Sequence, residues 1–291
     1  MRIAIFGNTY RKEIIYPLEI ILQFLSKNNV DILIYNQIHD FLKQSPLLND
    51  LNYNLIEDGN FNADVALSVG GDGTFLNTAQ HVGDKNIPIL GINTGKLGFL
   101  ADVAINEIET VLTDILKRNF TIEERSVLEV SASNNAFKGS PFALNEVAVL
   151  KQDLSSMISI EAFVGGEYFH TYRADGLIVS TPTGSTAYSL SVGGPILVPQ
   201  ARNLIVAPVA SHSLNVRPLI IPDSWDVHLK MFSRSHSYLI SLDGRSQIMS
   251  EQTELFIKRA NHTIKIIKPS GNHTFFNTLK NKLMWGIDKR N

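Results

Sequence analysis

The sequence predicts an α/β N-terminal domain with a mostly parallel sheet, a second domain made largely of β-strands, and a C-terminal helix that returns to the first domain. Three observations carry that prediction. In the first hundred residues short apolar runs alternate with stretches of helical periodicity, the order that builds a parallel sheet covered by helices. From Thr121 the alternation stops, and strand patterns follow one another with few helical intervals. At the end, Phe275 to Trp285 regains helical spacing in isolation, and a lone amphipathic helix needs a partner surface that an all-strand domain does not obviously offer. The domains so drawn are 1–120, 121–270 and 271–291.

With 291 residues, the chain can bury one large core or two medium ones without staples. A hydrophobic fraction of 44% and a charged fraction of 19% are those of an ordinary folded protein. Lysine and arginine total 26 against 28 acidic residues, and no arginine-rich stripe with interleaved aromatics occurs, so nucleic acid is not an expected partner. The absence of cysteine removes disulfides, thiol nucleophiles and thiolate metal sites together. No apolar run reaches eighteen residues, and the opening MRIAIFGNTYRKEI reads as a first strand rather than a signal peptide. The expected setting is cytoplasmic, with no membrane partner.

Ile3 to Phe6 form the first strand, and Gly7-Asn8 opens its turn. Tyr16 to Lys27 places Leu18, Ile21, Leu22 and Leu25 on one helical face, and Val30 to Tyr35 is a second strand. Asn36 to Asn60 has no sustained period and reads as a short helix around His39 to Lys43 followed by a variable loop. Val65 to Val69 is a strand buried on both faces; Phe75, Leu76, Ala79 and Val82 then recur at helical spacing, with Thr74 as the expected N-cap. Ile87 to Asn93 is another strand, and Ile105 to Arg118 is an amphipathic helix with Ile108, Val111, Leu112 and Ile115 inward. In the second domain, strands are expected at Phe120–Val130, Leu144–Leu150, Met157–Val164, Tyr168–Tyr172 and Gly176–Ser180. They continue at Leu204–Pro208, Leu219–Ile221, Val227–Phe232, Tyr238–Asp243, Thr253–Ala260 and Thr263–Ile267, with Gly165-Gly166 as a hairpin turn.

Chemistry concentrates in the turn after the Val65 strand. Gly70, Gly71 and Gly73 let a ligand approach backbone N–H groups, and a helix start favours negative charge there. Asp72 is anomalous in a phosphate cradle, because its charge repels phosphate unless it holds a metal or acts on a substrate proton. The plainer reading is a βα turn with an Asx cap. The loop GINTGKLGFL after the next strand could line the same crevice, with Lys96 either aimed at phosphates or solvated. Thr181 to Ser191, TPTGSTAYSLS, is a hydroxyl-rich glycine loop entering a helix at Ala187 to Ser191, which suits a nucleotide or sugar and equally a well-capped surface helix. Asn145-Glu146 at a strand head, and Arg173 beside Asp175, carry polar groups that are either solvated or turned to ribose and phosphate. The eight histidines show no metal-protease spacing, so no protein-built metal site is expected. His212 and Arg217 lie in a proline-rich connector and read as structural.

Taken together, Gly70-Gly71-Asp72-Gly73-Thr74, the Gly95–Leu100 loop, Asn145-Glu146, Asp175-Gly176, Thr181–Ser191 with Gly193-Gly194-Pro195, the His212 and Arg217-Pro218 segment and Asp243-Gly244 make the whole chain resemble the NAD kinase family. GGDGT alone is shared in outline with diacylglycerol-type lipid kinases and 6-phosphofructokinases; TPTGSTAYSLS behind it is far more specific. The resemblance implies an active site between an α/β domain and a β domain, with ATP, NAD and a divalent cation, Mg²⁺ or Mn²⁺, as the reactants and helper. It implies that Asp72 accepts a proton from the adenosine ribose 2′-hydroxyl of NAD. It implies dinucleotide contacts from Asp72, Gly73, Asn145, Glu146, Arg173, Asp175, Thr186, Ala187, Tyr188, Ser189, Leu190, Ser191 and Arg245, a phosphate-donor loop of Gly70, Gly71, Gly73 and Thr74, and a homodimer or homotetramer. Two positions depart from the common pattern: Arg245 replaces a glutamine and Ser156 a histidine. Two other readings belong to different classes. A lipid kinase of the diacylglycerol type would need an exposed apolar mouth, against which the hydroxyl-rich loop argues, and a catalytically silent dinucleotide-binding regulator would have no use for Asp72.

Overall fold

The computed structural model describes all residues except 11, 44, 50, 135, 154, 155, 272 and 285–291. The chain divides into two compact units, one formed by 1–124 together with 264–291 and the other by 125–263.

The first unit is a parallel sheet with helices on it. Its elements begin with β1 (Arg2–Gly7), α1 (Ile15–Lys27), β2 (Asp31–Tyr35), α2 (Asn36–Leu42) and β3 (Tyr53–Ile56). They continue with β4 (Val65–Gly70), α3 (Asp72–Val82), β5 (Ile89–Asn93) and α4 (Ile108–Leu116). β1 pairs in parallel with β2 on one side and β4 on the other, β3 extends the sheet beyond β2, and β5 extends it beyond β4. The strand order therefore reverses between β1 and β4, and the crevice beyond their carboxyl ends is where doubly wound sheets bind ligands. Alternation along β1 sends Ile3 and Ile5 into one core with Leu18, Ile21 and Leu25 of α1 and Leu112 and Ile115 of α4. α3 packs on β1, β4 and β5 and buries Phe75 and Ala79.

The second unit is a β-sandwich. β6 (Phe120–Ala132) leads into it, followed by β7 (Phe142–Ala143), β8 (Glu146–Lys151), β9 (Ile158–Val164), β10 (Glu167–Ala174) and β11 (Gly176–Ser180). After α5 (Tyr188–Ser191) come β12 (Asn203–Val209), β13 (Leu219–Pro222), β14 (Val227–Phe232), β15 (Ser237–Leu242), β16 (Arg245–Ser250) and β17 (Leu255–Pro269). One sheet is antiparallel in the order β13-β12-β11-β8-β15-β16; in the other layer β9 pairs with β10 and β14, and β14 with β17. Inward residues of both layers share one core, among them Ile160 and Ala162 of β9, Val179 of β11, Leu229 of β14 and Ile240 of β15. The expected Gly165-Gly166 hairpin is present with both φ values positive, 60° and 86°. The final helix, α6 (Phe275–Leu283), belongs to the first unit; it ends at Leu283 with Met284 as a left-handed C-cap, short of the expected end at Trp285, which lies outside the described residues.

Several local expectations give way. Tyr53 to Ile56 is an edge strand rather than a loop; an edge strand is half solvated and carries no continuous apolar run. Thr74 lies inside α3, whose N-cap is Gly71, because the helix begins at Asp72 itself. The two strands expected at Thr253–Ala260 and Thr263–Ile267 are one 15-residue strand, which continues through the polar stretch Asn261-His262. Its last part pairs in parallel with β5 through Ile266 and Ile89, adding a strand to the first sheet. Arg245 to Ser250 is a strand that composition did not announce.

Candidate active site

Asp72 opens α3 directly after the carboxyl end of β4, so its position follows from the shortest βα turn the glycines permit. Its carboxylate faces a loop that folds back over the turn. Oδ1 accepts N–H bonds from Leu100 at 2.9 Å and Ala101 at 3.1 Å; Oδ2 accepts one from Phe99 at 3.0 Å. Gly98 makes this approach possible, since a Cβ there would overlap Asp72 Oδ1. The loop is itself braced. The Asn93 side chain donates to the carbonyls of Lys96 and Ala101 and accepts from the Gly95 N–H at 2.6 Å. Asp102, at the loop's far end, makes a buried 2.6 Å ion pair with Lys268 of β17.

A cation completes the arrangement. Lys282 of α6 places Nζ 3.2 Å from Asp72 Oδ2 and 4.9 Å from the centre of the Phe99 ring. Burial by itself raises the Asp72 pKa, but the amides of Phe99, Leu100 and Ala101, joined by Lys282, outweigh it and hold the carboxyl below its ordinary value. The carboxylate is thus ionised at neutral pH. Lys96, the loop lysine that sequence favoured, is exposed. Beside the turn, Phe6, Gly7, Asn8, Tyr35, Thr74 and Asn77 line a cavity of about 160 Å³ at the strand-order reversal.

The second unit assembles a different cluster. Asp243 and Gly244 form the two-residue turn between β15 and β16, with φ of 48° and 84°, the hairpin geometry that Asp-Gly favours. From that turn the Asp243 carboxylate accepts the backbone N–H groups of Leu144 at 2.6 Å, Asn145 at 2.8 Å and Glu146 at 3.0 Å. The hydroxyl-rich segment packs on the same residues. Thr181 donates its N–H to the Asn145 carbonyl and its hydroxyl to that of Leu144, and Gly184 lies so close to the Asn145 carbonyl that any side chain would collide. The segment turns as a 3-10 helix over Thr183–Thr186 and then as α5, shorter than the expected helix from Ala187.

This cluster leaves polar atoms without partners. Asn145 Oδ1, Glu146 Oε2, Thr183 Oγ1 and Ser189 Oγ are buried and accept or donate nothing. Orphaned buried polar groups each cost about 1–3 kcal/mol, and four of them on adjoining segments fit a ligand that brings its own hydroxyls and amides. Glu146 feels this most: burial, then the Asp243 charge, push its pKa to about 7 against a hydrogen bond from the Tyr188 amide. Burial also raises the Asp243 pKa, opposed by its three amide donors and Arg245.

Not every expected contact joins these clusters. Ser180 pairs with Glu146, whereas Gly176 pairs with Leu150 at the other end of the same strands. Asp175 therefore lies about 16 Å along the sheet from Glu146 within one chain, at roughly 3.3 Å per residue, and Arg173 lies on β10 of the other layer. Asp175 makes a 2.7 Å ion pair with Lys151, and Arg173 borders a separate cavity with Ser159 and Arg234. Arg245 gives its guanidinium to the carbonyls of Ser140, at 3.0 Å, and Phe142. Sequence reasoning missed the anchoring use of Asp243 and missed Lys282 altogether. The Asp-Gly dipeptide between apolar alternations was the available signal for the first; nothing local marks the second. Among the described residues no three His, Asp or Glu side chains gather to hold a metal, and no helix is long and apolar enough to cross a membrane.

Comparison with known proteins agrees with this division. The model of the ATP-NAD kinase N-terminal domain matches residues 3–120, and that of the ATP-NAD kinase C-terminal domain matches 144–268. An NAD kinase of Bacteroides fragilis is 50% identical over 290 residues, covering 100% of both chains, and one of Porphyromonas gingivalis is 43% identical over 99% of both. Among solved structures, yeast NADH kinase complexed with NADH superposes with a TM-score of 0.88 at 23% identity, covering 99% of this chain and 89% of that one, a likeness of fold. An NAD kinase from Archaeoglobus fulgidus in complex with ATP gives 0.75 at 25% identity over 98% of this chain and 99% of that one.

Proposed function

The chain belongs to the NAD kinase family, and from that premise we propose that it transfers the γ-phosphoryl group of ATP to the adenosine ribose 2′-hydroxyl of NAD, with Asp72 accepting the hydroxyl proton. A ribose hydroxyl is a poor nucleophile at neutral pH, so a base must lie within hydrogen-bond reach of its proton. The observation that carries the assignment is Asp72 itself: an ionised carboxylate held rigidly by three amides at the mouth of a glycine turn. As its proton passes to Asp72, the ribose oxygen bonds to the γ-phosphorus and the bond from that phosphorus to the β-phosphate oxygen breaks, releasing ADP. The low pKa of Asp72 suits a late proton transfer, after the phosphoryl group has loosened.

Gly71 and Gly73 offer the donor phosphates exposed backbone at the start of α3, with buried Gly70 and half-buried Thr74 shaping the turn. The divalent cation, Mg²⁺ or Mn²⁺, arrives with ATP as part of the donor and neutralises phosphate charge; Asp72, already engaged by three amides and a lysine, is no site for it. The dinucleotide is gripped by the second unit. Asn145 and Glu146 accept its ribose hydroxyls, and the Thr186–Ser191 segment, with Ala187, Tyr188, Ser189 and Leu190, shapes the pocket around them. Arg245 secures this cluster from behind through its carbonyl contacts. Arg173 and Asp175 serve the dinucleotide from a different place than Asn145–Glu146, in keeping with a homo-oligomeric enzyme.

The test is incubation with ATP, Mg²⁺ and NAD, scored for NADP with an NADP-specific dehydrogenase. Asp72→Asn should lower turnover by roughly 10²–10⁴-fold, the usual worth of a general base, while NAD affinity by equilibrium titration stays nearly intact. A fall in affinity that matched the fall in turnover would make Asp72 a binding residue, and no NADP with any metal would overturn the reading.

A further inference from the structure

We propose that Lys282 is a further catalytic residue, paired with Asp72 in this structure and moving its ammonium onto the transferring phosphoryl group when both substrates are bound. The inference rests on the reading of Asp72 as proton acceptor, and it follows from counting that residue's hydrogen bonds. A carboxylate has about four acceptor positions. Leu100 and Ala101 take both at Oδ1, Phe99 takes one at Oδ2, and Lys282 takes the fourth. A base with every position engaged cannot receive a proton. One partner must leave.

The three amides cannot leave cheaply. They belong to consecutive residues of a loop held by Asn93 and by the buried Asp102–Lys268 pair, with Leu100 and Ala101 buried themselves. Lys282 can leave, because its charge sits on a flexible four-carbon stem and the side chain is 34% exposed. The helix beneath it stays put. Thr274 caps α6 by accepting the Asn277 N–H, His273 meets Glu107 at 3.5 Å, the Phe275 ring lies tilted against Phe99 with centroids 6.2 Å apart, and Leu279 is buried. A fixed helix with a swinging lysine is the arrangement that swaps one anionic partner for another.

The substrates supply the second partner. A hydroxyl bonded to Asp72 Oδ2 lies about 2.7 Å from it, and the phosphorus it attacks lies roughly 3–3.5 Å further in a reactive pose. An ammonium that starts 3.2 Å from Oδ2 reaches the phosphoryl oxygens by a change of rotamer. The same movement frees the lone pair the hydroxyl needs. Arrival of the phosphate thereby switches the base on, and neither event leaves the lysine charge uncompensated.

Steady-state kinetics of Lys282→Met, Lys282→Gln and Lys282→Arg test the proposal beside Asp72→Asn in the full chain. Removal of one charge-stabilising donor typically lowers turnover about 10²–10³-fold. Lys282→Met and Lys282→Gln should both fall by that order with a raised KM for ATP, NAD affinity within about twofold and thermal stability close to the parent. Gln can still donate to Oδ2, so its failure isolates the charge; Arg should recover much of the loss. Turnover of Met and Gln variants within threefold of the parent, or above it, would overturn the proposal, as would a loss of stability that Arg does not repair. If Asp72→Asn collapses while the Lys282 variants do not, only the lysine inference fails; if Asp72→Asn retains parental turnover, the base reading fails first.

Discussion

Three carboxylates of the candidate site, Asp72, Glu146 and Asp243, sit under opposed influences, and their environments differ. Asp72 is held ionised by amides and a lysine, Asp243 is spent on three amides, and Glu146 is left with a buried, unpartnered oxygen and a pKa of about 7. The sign of its effect follows. An ordinary glutamate titrates near 4.3, so the fold favours protonated Glu146; the stability it contributes is complete below that pH and is lost as pH rises through about 7. Glu146→Gln should therefore match the parent in chemical denaturation near pH 4.5 and exceed it near pH 8 by on the order of 2 kcal/mol. Ionised Glu146 is the better acceptor for a ribose hydroxyl, so NAD affinity measured calorimetrically should climb by up to about tenfold in all between pH 6 and 8, and Glu146→Gln should flatten that rise. A slope that survives the substitution would assign it to another group. The turns that present Asp72, Asn145 and Glu146 were legible in the sequence because glycines and apolar runs mark them. Lys282 was not: it lies 210 residues from Asp72, and in an amphipathic helix it looks like any solvated lysine.

The elements that matter most are turns, and their chemistry is set by close backbone approach. Gly98 admits the Asp72 carboxylate to three successive amides, and Gly184 admits the hydroxyl-rich segment to the Asn145 carbonyl. Gly98→Ala should displace Asp72 by a fraction of an ångström to an ångström, a misplacement worth up to about 10²-fold in turnover, with NAD affinity nearly unchanged; parental kcat in that variant would show that the loop yields instead. Both glycines stood out in sequence as punctuation, yet what they approach is non-local and could not be read. Regular elements were easier. α1 and α4 bury the residues their spacing indicated, Leu18, Ile21, Leu22 and Leu25 in one and Ile108, Val111, Leu112 and Ile115 in the other. β3 escaped because half its surface faces water, and β17 was read as two strands because Asn261-His262 interrupts its apolar pattern without breaking its hydrogen bonding.

At the scale of the molecule the chain keeps two separate cores, one of helices on a parallel sheet and one inside a sandwich. Chains with more than one core depart from single-step unfolding. Scanning calorimetry should resolve two transitions, with Leu18→Ala lowering the one that reports the parallel sheet and Ile240→Ala the one that reports the sandwich; each loss is about 2–5 kcal/mol. A single transition shifted equally by both would mean the units unfold as one. The change of pattern at Thr121 made two domains legible, but the return of 264–291 to the first unit was visible only as a helix in need of a surface. That return sets an order of assembly during synthesis. Once residue 263 has emerged from the ribosome the whole of the second unit is free, while the first unit still lacks the end of β17 and all of α6. Nascent chains fold from their N-terminal side as segments emerge, so the second unit can complete its core before the first. Asp72 and the loop that holds it gain the Lys268 brace and the Lys282 cation last, so the most polar part of the first unit is finished by the final stretch of chain.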